Sequence, residues 1–292
     1  MAATIAIVAA GVEHGIERAC TWLMPTFLIL LLLLAGHGLT LEGAGRAISF
    51  LFTPDWAALR QPQTYLAALG QALFSIGLGM GVVITYGAYV PQGERLPRAA
   101  LFLVAGDTVV ALLAGVMFFP AVFSHGIDPA HGPALAFAVL PEVFAAMPAG
   151  RWLAIALFLL LAIAALTSTV ALLEVPVAWA MARRHWSRRR AALIVGSGAL
   201  AAGAPVSLGN GVLAPAAGSA ALLERVDHLA SNILLPASAI AIALLVGWAC
   251  RGGAARQAAD LEGRLAGPEW RWGLRIALPL VIALVMARGL GW

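Results

Sequence analysis

Apolar runs of about 20 residues recur along this chain between short charged segments, and that spacing constrains the fold more than any other feature. A helix of that length is about 30 Å long, the thickness of the hydrocarbon core of a bilayer. Each run reads as a membrane-spanning helix, because lipid offers no partner to an exposed backbone amide or carbonyl. The runs fall at about 20–37, 64–91, 97–123, 151–182, 190–208, 228–249 and 270–290. A shorter apolar start at 1–11 precedes them, and the His- and Pro-containing segment 124–150 reads as an external capping loop. Composition agrees, since 62% hydrophobic and 11% charged residues lie far outside the soluble range. The expected fold class is all-α, a single polytopic transmembrane domain over 1–292.

The basic residues orient it. All 18 are Arg, and 13 fall in one alternating set of loops, at Arg18, Arg95, Arg98, the 183–190 cluster and 251–275. The positive-inside rule makes that set cytoplasmic and the 124–150 loop external. The 183–190 cluster is expected to be a solvated anchor at the lipid headgroups, with no nucleic-acid role. Cys20 and Cys250, both at helix ends, predict no disulfide.

One span is irregular where a span should be most regular. The stretch FSIGLGMG, residues 74–81, carries Gly77, Gly79 and Gly81 at alternate positions. Glycine costs about 1 kcal/mol relative to alanine in a helix interior. The backbone is therefore expected to leave the helix at about 75–81, which a membrane permits only against protein or a wet cavity. Gly77 and Gly81 also form a GxxxG packing pair, which would account for two of the three glycines.

Other polar groups lie at similar depth. Asp107 follows Arg98 by nine residues, which places it on the order of 13 Å into the hydrocarbon region. A carboxylate there costs about 2.5–3.5 kcal/mol and needs a cation, a proton or a hydrogen-bonding partner. Thr167, Ser168 and Thr169 sit halfway between Arg151 and Arg183. They form either an oxygen cluster suited to a hard cation or hydroxyls bonded to their own helix carbonyls. Glu174, two residues before Pro176, is expected to satisfy carbonyls that the proline frees. Asp227, ahead of His228-Leu-Ala-Ser-Asn, reads as a helix N-cap. The sequence holds no HExxH, no GxSxG and no zinc-like Cys and His spacing, so an enzyme is not expected.

Several long segments closely resemble the prokaryotic neurotransmitter:sodium symporters. They are YLAALGQALFSIGLGMG (65–81) with ITYGAY (84–89), GDTVVALLAG (106–115) leading into FFPAVF (118–123), GPALAF (132–137) and ALTSTVALLE (165–174). The resemblance implies an inverted-repeat fold with discontinuous helices, onto which this chain maps from within helix 4 to helix 11. It implies a sodium-coupled symporter for an amino acid or related small amine in a bacterial inner (plasma) membrane. Chloride as a second ion and a homodimer stay open. Phe74, Ser75, Gly77, Met80, Ser168 and Leu172 would contact substrate. Ser75, Asp107, Ala164, Thr167 and Ser168 would contact sodium, while Tyr89 and Asp227 match gate residues. Helices that in the family supply about half of the ligands fall outside the matched segment. Two alternatives therefore remain, a truncated, transport-incompetent member and a proton-coupled transporter using Asp107.

Overall fold

The structure, a computed structural model, describes residues 1–91, 96–126, 143–144, 150–209, 220–249 and 272–289. In chain order its helices are α1 (Ala2–Ala10), α2 (Arg18–Gly38), α3 (Ala44–Phe52), α4 (Pro62–Ser75), α5 (Val82–Gly87) and α6 (Leu96–Ser124). They continue with α7 (Gly150–Arg184), α8 (Arg188–Gly209), α9 (Ala220–His228), α10 (Leu235–Leu244) and α11 (Leu278–Gly289). Wider π-helical turns at Val12–Glu17, Leu229–Leu234, Leu245–Ala249 and Gly273–Ala277 extend these helices. The capping loop expected at 124–150 lies largely outside the described residues, as do Arg95, Cys250, Arg251, Arg256, Arg264 and Arg271.

Five described stretches are long and apolar enough to cross a membrane: Val12–Gly38, Leu96–Ser124, Gly150–Arg184, Arg188–Leu208 and Leu222–Trp248. Their outer faces carry bulky apolar side chains such as Trp22, Leu101, Phe102 and Trp152, each about two-thirds exposed or more. A water-soluble surface does not carry apolar side chains on that scale. The protein is an all-α polytopic membrane protein.

Two boundaries start eight residues earlier than expected: the span expected at 20–37 is continuous from Val12, and a second bears on a candidate site residue. The helix expected from His228 begins at Ala220, because Ala220-Ala-Leu-Leu-Glu-Arg225 are strong helix formers. Asp227 is consequently inside a helix and not an N-cap, and its carboxylate accepts a hydrogen bond from Ser231 Oγ at 3.1 Å.

The chain divides into two compact units, Met1–Asp55 with Ala105–Ala171, and Trp56–Val104 with Leu172–Trp292. In the first, Leu31, Leu34 and Ala35 of α2 pack against Met117 and Ala121 of α6, Leu157 and Leu160 of α7, and Phe144. Gly38 allows that approach, since a Cβ there would lie 2.8 Å from the Val116 carbonyl. Thr4 of α1 is buried and its hydroxyl pairs with that of Thr169 at 3.0 Å. In the second unit, Leu73 of α4, Leu235 and Ala239 of α10 and Ile282 of α11 form a core, with Met80 and Val285 packed on it.

Candidate functional site

The second unit is built around an interruption. α4 starts at Pro62, where the missing amide costs nothing, and ends at Ser75. Gly77 then turns left-handed at φ +71°, the Gly77 amide bonds the Phe74 carbonyl at 3.1 Å, and the Leu78 amide bonds the Leu73 carbonyl at 3.0 Å. These paired bonds are a Schellman closure, which needs a residue tolerant of positive φ at that point. Gly79 (φ +96°) and Gly81 (φ +79°) repeat the left-handed conformation, and α5 starts immediately after. Each would cost about 1–2 kcal/mol with a side chain. The discontinuous helix expected at 75–81 is present, and all three alternating glycines serve it.

Neighbouring helices hold the break. A Cβ on Gly79 would meet the Leu235 carbonyl at 2.5 Å and Ser238 Oγ at 2.9 Å, so α10 comes against bare backbone. Ser238 donates to the Gly79 carbonyl at 2.7 Å. On Gly81, a Cβ would lie 3.0 Å from Val175 Cγ1 of α7.

Beyond α5 lies a polar cluster. The Tyr89 hydroxyl donates to Glu174 Oε1 at 2.6 Å, and the Arg188 guanidinium pairs with Glu174 Oε2 at 2.5 Å. Glu174 is fully buried. Its expected role at Pro176 is therefore corrected, since an ionised carboxylate only accepts hydrogen bonds and its acceptors face a phenol and a guanidinium. The 183–190 cluster is corrected in part. Arg183, Arg184, Arg189 and Arg190 are exposed, whereas a tight turn with His185 at φ +53° brings Arg188 back onto α7. Sequence reasoning missed Arg188 and Ser238; one looked like any member of a basic run, and the other like any helical serine.

The remaining expected site residues distribute as follows. Phe74 and Ser75 are exposed, Gly77 is buried and Met80 is half-buried, all at the break, and Leu172 is an exposed residue of α7 in the same unit. Asp107 of α6 and Ala164, Thr167 and Ser168 of α7 belong to the other unit. Asp107, Ala164 and Thr167 are half-buried and Ser168 is exposed. Ala164, Thr167, Ser168 and Leu172 follow one face of α7 at helical spacing. The Thr167 hydroxyl lies 3.0 Å from both the Ile163 and Ala164 carbonyls. It spends its hydrogen there and keeps its lone pairs, so it suits a hard cation as well as a helix-bonded role.

Residues 1–290 match the sodium:neurotransmitter symporter family. The chain belongs to that family. It is 35% identical, over 100% of its own length and 65% of the relative's, to YhdH, an uncharacterized sodium-dependent transporter of Bacillus subtilis. A sodium-dependent transporter of Haemophilus influenzae is 32% identical over 97% of this chain and 62% of its own. Among solved structures, MhsT in complex with L-phenylalanine superimposes with a TM-score of 0.84 at 44% identity, covering 98% of this chain and 66% of MhsT. This symporter-family chain thus spans just under two thirds of the length of these relatives.

Proposed function

We propose that the chain carries substrate- and sodium-binding residues of a sodium-coupled symporter for an amino acid or related amine, in a bacterial inner membrane. The observation that carries this reading is the helix break with its three left-handed glycines, which puts irregular backbone in the middle of an otherwise spanning segment. Within a membrane such backbone is stable only beside protein or a wet cavity. Relatives named as sodium-dependent transporters and a neighbour solved with L-phenylalanine support the cation and the substrate class.

The chemistry is coordination. Sodium is a hard cation that takes oxygen ligands. On this reading Ser75 and Asp107 supply oxygens for one ion. Thr167 and Ser168 supply hydroxyls and Ala164 its carbonyl for another. Phe74, Gly77, Met80, Ser168 and Leu172 contact the substrate. Tyr89, Glu174 and Arg188 tie the end of the α5 segment to α7 and to the start of α8, which makes them a latch that opens on one face during alternating access. A fully buried carboxylate must exchange its partners when such a latch moves, so opening is coupled to replacing two charge-assisted hydrogen bonds.

The test is a screen of radiolabelled L-amino acids and amines for binding to the purified chain in lipid, with sodium and with choline in its place, and with chloride varied separately. Saturable binding that requires sodium supports the proposal. Binding unaffected by sodium, or absent across the whole panel, removes it.

A further inference from the structure

A hydroxyl of α10 bonds the break from outside and has two acceptors within reach. Ser238 Oγ lies 2.7 Å from the Gly79 carbonyl and 2.9 Å from the carbonyl of Leu235, one turn back on its own helix. A hydroxyl has one hydrogen, so it commits to one of these at a time. The Gly79 carbonyl shares a planar peptide with the Met80 amide, and that amide bonds the Gly77 carbonyl at 3.1 Å. Ser238 at one end and Gly77 at the other therefore fix the plane of the 79–80 peptide, and with it the direction in which Met80 leaves the backbone. Met80 packs against the cluster of Leu73, Leu235, Ala239 and Ile282, of which Leu235 and Ala239 lie on the face of α10 that presents Ser238.

We propose that Ser238 is a positioning residue for the interrupted segment, acting through the Gly79–Met80 peptide. With its hydrogen on Gly79, the peptide is held and Met80 is aimed. With its hydrogen on Leu235, the peptide is released, and Ser238 remains satisfied within its own helix. Segment 76–81 can thus shift along α10 without leaving this half-buried donor unpaired, a penalty that would otherwise oppose the movement. Glycine at 79 is the necessary complement, because any Cβ there would meet the Leu235 carbonyl and the Ser238 hydroxyl.

Hydrogen exchange of the purified chain in lipid tests this without relying on transport. In Ser238→Ala, peptides covering 76–82 should exchange about tenfold faster than in the parent, with peptides from α2 and α6 unchanged. Ser238→Thr, which keeps the hydroxyl, should restore slow exchange. Unchanged exchange at 76–82 in Ser238→Ala overturns the proposal. So does uniformly faster exchange across the chain, or a Thr variant that behaves like Ala. The consequence for binding rests on the function proposed above: Ser238→Ala should raise the half-saturating substrate concentration several-fold while leaving site number constant, and Thr should reverse it. If the parent chain binds no substrate, that function fails, and the exchange comparison still decides the role of Ser238.

Discussion

The hydroxyl of Tyr89 lies 2.6 Å from the carboxylate of Glu174, 85 residues further along the chain, and that carboxylate is fully buried. A phenol at the end of the interrupted segment and a guanidinium at the start of α8 therefore meet on one charge. The arrangement costs more to break on one side than to remove whole.

Arg188→Ala leaves Glu174 buried without its cation and should destabilise the protein by about 3–5 kcal/mol. The double variant Glu174→Leu with Arg188→Leu should recover most of that loss. Thermal melting in detergent of the parent, of Glu174→Leu and Arg188→Leu singly, and of the double variant measures the coupling. A double variant less stable than either single one would show that the pair is net stabilising and not a locking device.

Tyr89→Phe removes one hydrogen bond to a charged acceptor and leaves the ion pair. The expected cost is about 1.5–3 kcal/mol, less than for Arg188→Ala. A labelling probe at the C-terminal end of the α5 segment should also react faster in Tyr89→Phe, and an unchanged rate would contradict the latch.

The three glycines should not respond equally to alanine. All three carry the left-handed penalty of about 1–2 kcal/mol. At Gly79 the new Cβ also meets the Leu235 carbonyl at 2.5 Å, at Gly81 it meets the movable Val175 methyl at 3.0 Å, and at Gly77 its nearest neighbour is Met80 Sδ at 3.8 Å. Melting midpoints should fall in the order Gly79→Ala most, Gly81→Ala next, Gly77→Ala least. Equal losses would mean that strain alone matters and that α10 yields.

Part of this was legible in the sequence for a physical reason. Lipid forces apolar runs into helices, so the spans at 97–123 and 151–182 appear as Leu96–Ser124 and Gly150–Arg184. The break was legible because glycine at 77, 79 and 81 is costly in a helix and free at positive φ. Glu174 was not, because its partner Arg188 lies beyond a left-handed turn at His185, a residue type whose preference for positive φ is too weak to mark a turn by itself. Asp227 was misread because a good capping residue and a good helix interior both follow Ala-Ala-Leu-Leu-Glu-Arg, and only the structure separates them. Ser238 was invisible since its acceptor on Gly79 is 159 positions away.

The ion-site assignment separates sodium from proton coupling. Asp107→Asn keeps oxygen for a cation but cannot titrate. Sodium-dependent binding weakened yet present in Asp107→Asn, and lost in Asp107→Ala, is the expected pattern at fixed pH. Uptake into vesicles driven by a pH gradient in sodium-free buffer, and lost in Asp107→Asn, would indicate proton coupling in its place.

The most direct measurement is a sodium titration of amino-acid binding to the chain in lipid, carried out on the parent and on Ser168→Ala at constant ionic strength with choline. The account predicts saturable, sodium-dependent binding in the parent and a sodium requirement raised at least tenfold, or binding abolished, in Ser168→Ala. Identical sodium curves for the two proteins would contradict it.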